Sequence, residues 1–134
     1  MKGIADTGFL VAFSNRRDTY FSWAFALAEK LNEPLLTCEP VLAEAAFHLR
    51  DSGLVLRLLD TGLVKLAFNM ESHRPQFAAM EKRYEDRQPD LADLCLIRMS
   101  ELFPKLPVIT LDSDFKVYRR NRSESIPVIM PPGL

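Results

Sequence analysis

"IADTGFLVAF", residues 4–13, opens the chain with an apolar run that Asp6 interrupts at once. Gly3 to Ala5 reads as a short buried strand ending at that carboxylate, with the start of a helix behind it. A lone Asp in such a place is an ordinary turn or cap residue. It gains weight from a second apolar strand, "PVITLD", residues 107–112, which also ends in an acid.

Between these two strands the pattern is mostly helical. Residues 18 to 32 repeat Phe21, Phe25 and Ala28 at helical spacing, with Asp18 or Thr19 as cap. "EPLLT", residues 33–37, reads as a short strand or an extended lead-in to the next helix. Pro40 suits the first turn of that helix, and Ser52-Gly53 ends it. A further helix runs over residues 54 to 61. "LVKLAF", residues 63–68, alternates as a strand. Residues 74 to 87 and 90 to 101 are helical, 115 to 119 form a short helix or turn, and "IPVIM" is a last strand. The order β-α-α-α-β-α-α-β-(α)-β predicts α/β layering on a mostly parallel sheet.

The 134 residues suit a single domain spanning 1–134. A hydrophobic fraction of 48% is enough for a sizeable core, and a net charge of −1 is not that of a strongly basic nucleic-acid binder. Cys38 and Cys95 lie in apolar surroundings with no metal-ligand spacing, as buried free thiols do in a reducing compartment. Met1-Lys2-Gly3 leads straight into the first strand, without the look of a signal peptide. No apolar stretch approaches the roughly 18 residues a membrane helix needs. A cytoplasmic location and no membrane partner are the expectation.

In an open parallel sheet, functional residues gather beyond the carboxyl ends of the strands. Asp6 and Asp112 should therefore share one rim. Glu44 sits one turn into an otherwise apolar helix, between Ala43 and Ala45. Asp93 sits one turn into "DLADLCLIRMSE", three residues after Asp90 and on the same helix face. Each has a bland explanation: Asp112 in an Asx turn, Asp90 as N-cap with Asp93 at N3. Together they would form a cluster of like charges that needs a counter-charge. A hard divalent cation such as Mg²⁺ or Mn²⁺ supplies one, because it prefers oxygen ligands and keeps several waters.

The stretches "IADTGFLVAF", "LLTCEPVLAEAAFHLR", "PDLADLCLIRMSE" and "VITLDSDFKVYR" make the chain resemble the PIN-domain nucleases. Within them it is similar to the VapC-type toxins of type II toxin–antitoxin pairs. The resemblance spans nearly the whole chain and implies a three-layer α/β/α sandwich. It puts the family's four acids on Asp6, Glu44, Asp93 and Asp112, with Asp90 and Asp114 as auxiliary or alternate acids. Thr7 and Thr110 are the accompanying hydroxyls. It implies hydrolysis of RNA phosphodiesters with Mg²⁺ (or Mn²⁺) held by Asp6, Asp93 and Asp112. Glu44 would ligate a second ion or orient the attacking water. It also implies a homodimer and a cognate antitoxin partner.

"FKVYRRNR", residues 115–122, is a basic run beside the last acid. Lys116, Arg119, Arg120 and Arg122 are candidates for RNA phosphate contact, with Arg16 and Arg17 as a second set. The alternative is a solvated loop. Ser14, Ser113 and Cys38 have no His partner in any motif, so no covalent nucleophile is indicated. His48 and His73 do not frame a zinc site, and His48 reads as a half-buried helix residue. A phosphatase with an aspartate nucleophile would need a second acid two residues on, where Asp6 is followed by Thr7 and Gly8. A non-catalytic PIN scaffold, or a housekeeping RNA-processing PIN nuclease, are the remaining readings.

Overall fold

A computed structural model describes all 134 residues. Five short parallel strands form the central sheet: β1 (Ile4–Ala5), β2 (Leu35–Thr37), β3 (Val64–Leu66), β4 (Val108–Ile109) and β7 (Val128–Ile129). Their spatial order is β3-β2-β1-β4-β7. Ile4 pairs with Leu36 on one side and with Val108 on the other. Helices flank the sheet: α1 (Thr7–Ser14), α2 (Phe21–Ala28), α3 (Glu39–Leu49), α4 (Ser52–Asp60), α5 (Arg74–Arg83) and α6 (Leu91–Leu102). The central strands are fully covered, and Ile4, Ala5, Leu35, Val108 and Ile109 are completely buried. Strands buried on both faces read as unbroken apolar runs, which is why these segments do not alternate.

From β1 the chain moves outward to β3 and then returns to build β4 on the other side of β1. The direction of winding therefore reverses between β1 and β4. Such a switch point opens a crevice at the carboxyl ends of the two strands. The backbone approaches closely there: a Cβ on Gly8, in the first turn of α1, would lie 3.1 Å from three side-chain atoms of Leu111.

Several element boundaries differ from those expected. The α2 helix begins only at Phe21, because the Asp18 carboxylate accepts the Tyr20 N–H (2.8 Å) in a turn instead of capping a longer helix. The α3 helix ends at Arg50, in the left-handed region at φ 54°, before Ser52-Gly53. Asp51 then caps α4 through the Leu54 N–H (2.9 Å), and Gly53 sits harmlessly in the first turn. The helix expected over residues 74 to 87 stops at Arg83 and continues as a 3-10 turn, Glu85–Arg87. Residues 33–37 do contribute a strand, β2, which adds a strand to the expected order. A small antiparallel hairpin, β5 (Arg119–Arg120) with β6 (Glu124–Ser125), stands where no strand was anticipated. Its loop carries Asn121 and Arg122 at φ 49° and 72°. The sequence there has neither alternation nor glycine to signal a hairpin. No helix is long and apolar enough to cross a membrane.

Candidate active site

Each acid reaches the crevice by a local device. Asp6 follows β1 and caps α1, accepting the Thr7 N–H at 2.7 Å. Asp90 and Asp93 form a capping box at the start of α6: Asp90 accepts the Asp93 N–H (2.8 Å) and Asp93 accepts the Asp90 N–H (3.3 Å). Asp112 caps a 3-10 turn, Ser113–Lys116, by accepting the Asp114 N–H (2.9 Å). The bland reading as caps and the functional reading thus coincide, because the positive ends of helices hold carboxylates in place.

Tertiary contacts add two hydroxyls. Thr110 Oγ1, just past β4, donates to Asp6 Oδ2 at 2.5 Å and accepts the Asp112 N–H at 2.9 Å. Thr7 Oγ1 donates to Glu44 Oε1 at 2.9 Å, bringing α1 and α3 together. The result is a cavity of about 560 Å³ lined by Asp6, Thr7, Asp18, Glu44, His48, Asp90, Asp93 and Asp112, with Gly8, Val11 and Leu111.

Six carboxylates share this space, and the acidity of three of them, Asp6, Glu44 and Asp93, shows it. Burial pushes Asp6 up to about 6, against the opposing hydrogen bonds from Thr110 and Thr7, with Asp112 and Asp90 adding repulsion. Burial and then the Asp90 charge push Asp93 up to about 7. Burial, followed by the facing Asp90 carboxyl, pushes Glu44 up to about 7. Perturbed acids gathered in one cavity mark functional sites.

The profile of the PIN domain family matches residues 4–121. The chain belongs to the PIN-domain family. PIN domains are a nuclease family, and the parallel sheet flanked by helices is the architecture that membership calls for. Comparison with curated proteins gives no significant match.

The PIN domain's acids separate into those in the crevice and one outside it. Asp114 does not line the cavity; it pairs with Arg87 at 2.9 Å. Asp112 takes the position at the end of the late strand. The basic run of residues 115–122 is arranged differently from its reading as an RNA contact. Arg120 is 6% exposed, with Nη1 donating to the carbonyls of Ser100 (2.9 Å) and Pro104 (3.0 Å) and Nε to Glu124 (2.6 Å). A buried guanidinium bonded in this way has nothing left for phosphate, so Arg120 is no RNA contact. Arg119 Nη1 is occupied by the carbonyls of Lys116, Val117 and Tyr118, and Lys116 Nζ donates to the Leu134 carbonyl. Arg122 is exposed but lines a different cavity, with Arg83 and Arg98.

Two residues carry more weight in the structure than their sequence context suggests. His48 is exposed, not half-buried, and is the sole nitrogen-bearing side chain lining the acid cavity. Its spacing of four from Glu44 was the available signal. Tyr118, buried, donates from its hydroxyl to Asp93 Oδ2 at 3.3 Å. Asp18 also lines the cavity, so the loop with Arg16 and Arg17 borders it.

The donor set suits a hard cation. All six acidic side chains offer oxygen, and their mutual repulsion is what a divalent ion would relieve. No three of them converge at chelating distance on one point in this arrangement.

Proposed function

We propose that this PIN domain is a Mg²⁺- or Mn²⁺-dependent endoribonuclease, acting as the toxin of a toxin–antitoxin pair. The observation that carries the reading is the cavity at the β1–β4 switch point, where Asp6, Glu44, Asp93 and Asp112 crowd together and the first three have acidities shifted toward neutrality.

Asp6, Asp93 and Asp112 would hold the cation, with Asp90 beside them. A bound divalent ion would supply charge stabilisation to the phosphate and lower the pKa of water. The chain's own groups prepare the rest. Thr110 fixes the Asp6 carboxylate and the Asp112 backbone together. Thr7 holds Oε1 of Glu44, so that its carboxyl is directed into the cavity as the group to accept a proton from the attacking water. His48 lines the cavity, and the exposed Arg16 and Arg17 directly precede its lining residue Asp18; these are the groups that would meet an RNA phosphate. Exposed Phe25 on α2, packed against Phe21, offers apolar surface for the homodimer or antitoxin contact that this reading includes.

The test is cleavage of a total small-RNA pool by the purified protein with Mg²⁺, with Mn²⁺, with EDTA, and as Asp93→Asn. Metal-dependent cutting that is lost in EDTA and in the variant is the expected result. RNA bound equally by wild type and Asp93→Asn, with no cutting in either metal, would favour the non-catalytic scaffold instead. A small antitoxin gene immediately upstream would favour the toxin role over a housekeeping nuclease.

A further inference from the structure

Residues 115–122 lie along α6 and fasten both of its ends. Arg120 holds the C-terminal end, through the Ser100 and Pro104 carbonyls and the Ser100 hydroxyl (3.1 Å). Tyr118 reaches the N-terminal end, where its hydroxyl donates to Asp93 Oδ2 at 3.3 Å.

The placement of that phenol is tightly determined. Tyr118 is 0% exposed. Its ring meets Phe115 and Tyr84 edge-on, each with centroids 5.2 Å apart. Its amide donates to the Asp114 carbonyl at 2.9 Å. Tyr84 is itself pinned to the next residue: its hydroxyl accepts the Arg119 N–H (2.8 Å) and donates to the Arg119 carbonyl (3.2 Å). Aromatic packing of this kind requires a ring at position 118 but not a hydroxyl; Phe would fill the same space. The hydroxyl's one hydrogen-bond partner is the Asp93 carboxylate.

Asp93 has two oxygens with different surroundings. Oδ2 receives the Tyr118 hydroxyl and the Asp90 N–H, both at 3.3 Å. Oδ1 has no protein partner. We propose that Tyr118 is a positioning residue for Asp93: by engaging Oδ2 it fixes the carboxylate's rotamer and leaves Oδ1 free for a divalent cation in the cavity. The inference rests on the metal-site reading above and adds a specific residue to it. Groups that orient a metal's ligands are typically worth about 10–100-fold in affinity.

The experiment is calorimetric titration of metal-free protein with Mn²⁺, using wild type, Tyr118→Phe and Asp93→Asn, with thermal unfolding of each in EDTA. Tyr118→Phe should bind Mn²⁺ about tenfold more weakly at unchanged stoichiometry, with its metal-free unfolding midpoint within a few degrees of wild type. Asp93→Asn should bind far more weakly still. Equal affinity in wild type and Tyr118→Phe would overturn the positioning role while leaving the metal site intact. Loss of affinity together with a collapsed unfolding midpoint would make Tyr118 a packing residue and overturn it as well. No Mn²⁺ binding by wild type would overturn the metal-site reading, and this inference with it.

Discussion

Thr110 Oγ1 and Asp6 Oδ2 lie 2.5 Å apart although 104 residues separate them in the chain. The same hydroxyl accepts the Asp112 N–H, so one oxygen ties the end of β1 to the turn after β4. Thr110→Val keeps the shape and removes the donor. It leaves a buried carboxylate and a backbone N–H short of a partner, at a cost of about 1–3 kcal/mol. Urea unfolding should show that loss, and Thr110→Ser should recover most of it. A Val variant as stable as wild type would refute the bridge.

The raised acids give the metal-free protein a definite pH dependence. Asp6 and Asp93 titrate at about 6 and about 7 when folded, against 3.8 ordinarily. The folded state therefore binds more protons than the unfolded state between about pH 4 and 7. Stability must fall as pH rises through that window, being fully present below it and lost above it. Unfolding free energy measured in EDTA should decline across that range for this reason. Saturating Mn²⁺ should flatten or reverse the decline, because the ion binds the ionised carboxylates.

Removing one charge from the cluster should help the fold and harm the site. Asp93→Asn retains an oxygen for the capping box but removes a buried charge, and with it the repulsion with Asp90, Asp6 and Asp112. At a pH of about 8 without metal, where the carboxylates are ionised, its unfolding midpoint should exceed that of wild type, while stabilisation by Mn²⁺ disappears. A lower midpoint in EDTA would mean that repulsion does not dominate at this residue.

The basic residues should divide by experiment as they do by burial. Arg120→Met abandons the Ser100 and Pro104 carbonyls and should cost about 3 kcal/mol, with RNA affinity of the folded fraction unchanged. Arg16→Gln with Arg17→Gln should leave stability alone. If that loop meets phosphate, RNA binding weakens and the salt slope drops by about 0.7 for each phosphate no longer neutralised. Filter binding at several salt concentrations separates the two effects.

Much of this protein was legible before folding was considered. Apolar runs ending in Asp6 and Asp112, with helical spacing between, point to parallel strands and their functional rim, because strands buried on both faces read as short unbroken apolar runs. Asp90 and Asp93 announce a helix start by the spacing of a capping box. The boundaries were less readable: Asp18 and Asp51 are equally good cap residues, and only Asp51 is used as one.

Other features depend on groups far apart in sequence. Charge and position marked Arg120 as a phosphate contact, until packing buried it against Ser100 and Pro104. Asp114 and Asp112 were equivalent until Arg87 paired with one of them. His48 and Tyr118 looked like ordinary helix and loop residues, and tertiary structure set one in the acid cavity and the other against Asp93. Sequence by itself determined most helices and buried strands and the acids that end them, since period, caps and strand ends are local properties, whereas the β5–β6 hairpin carried no local signal. The tertiary structure alone decided which charges meet, because desolvation and pairing arise only when distant segments are brought into contact.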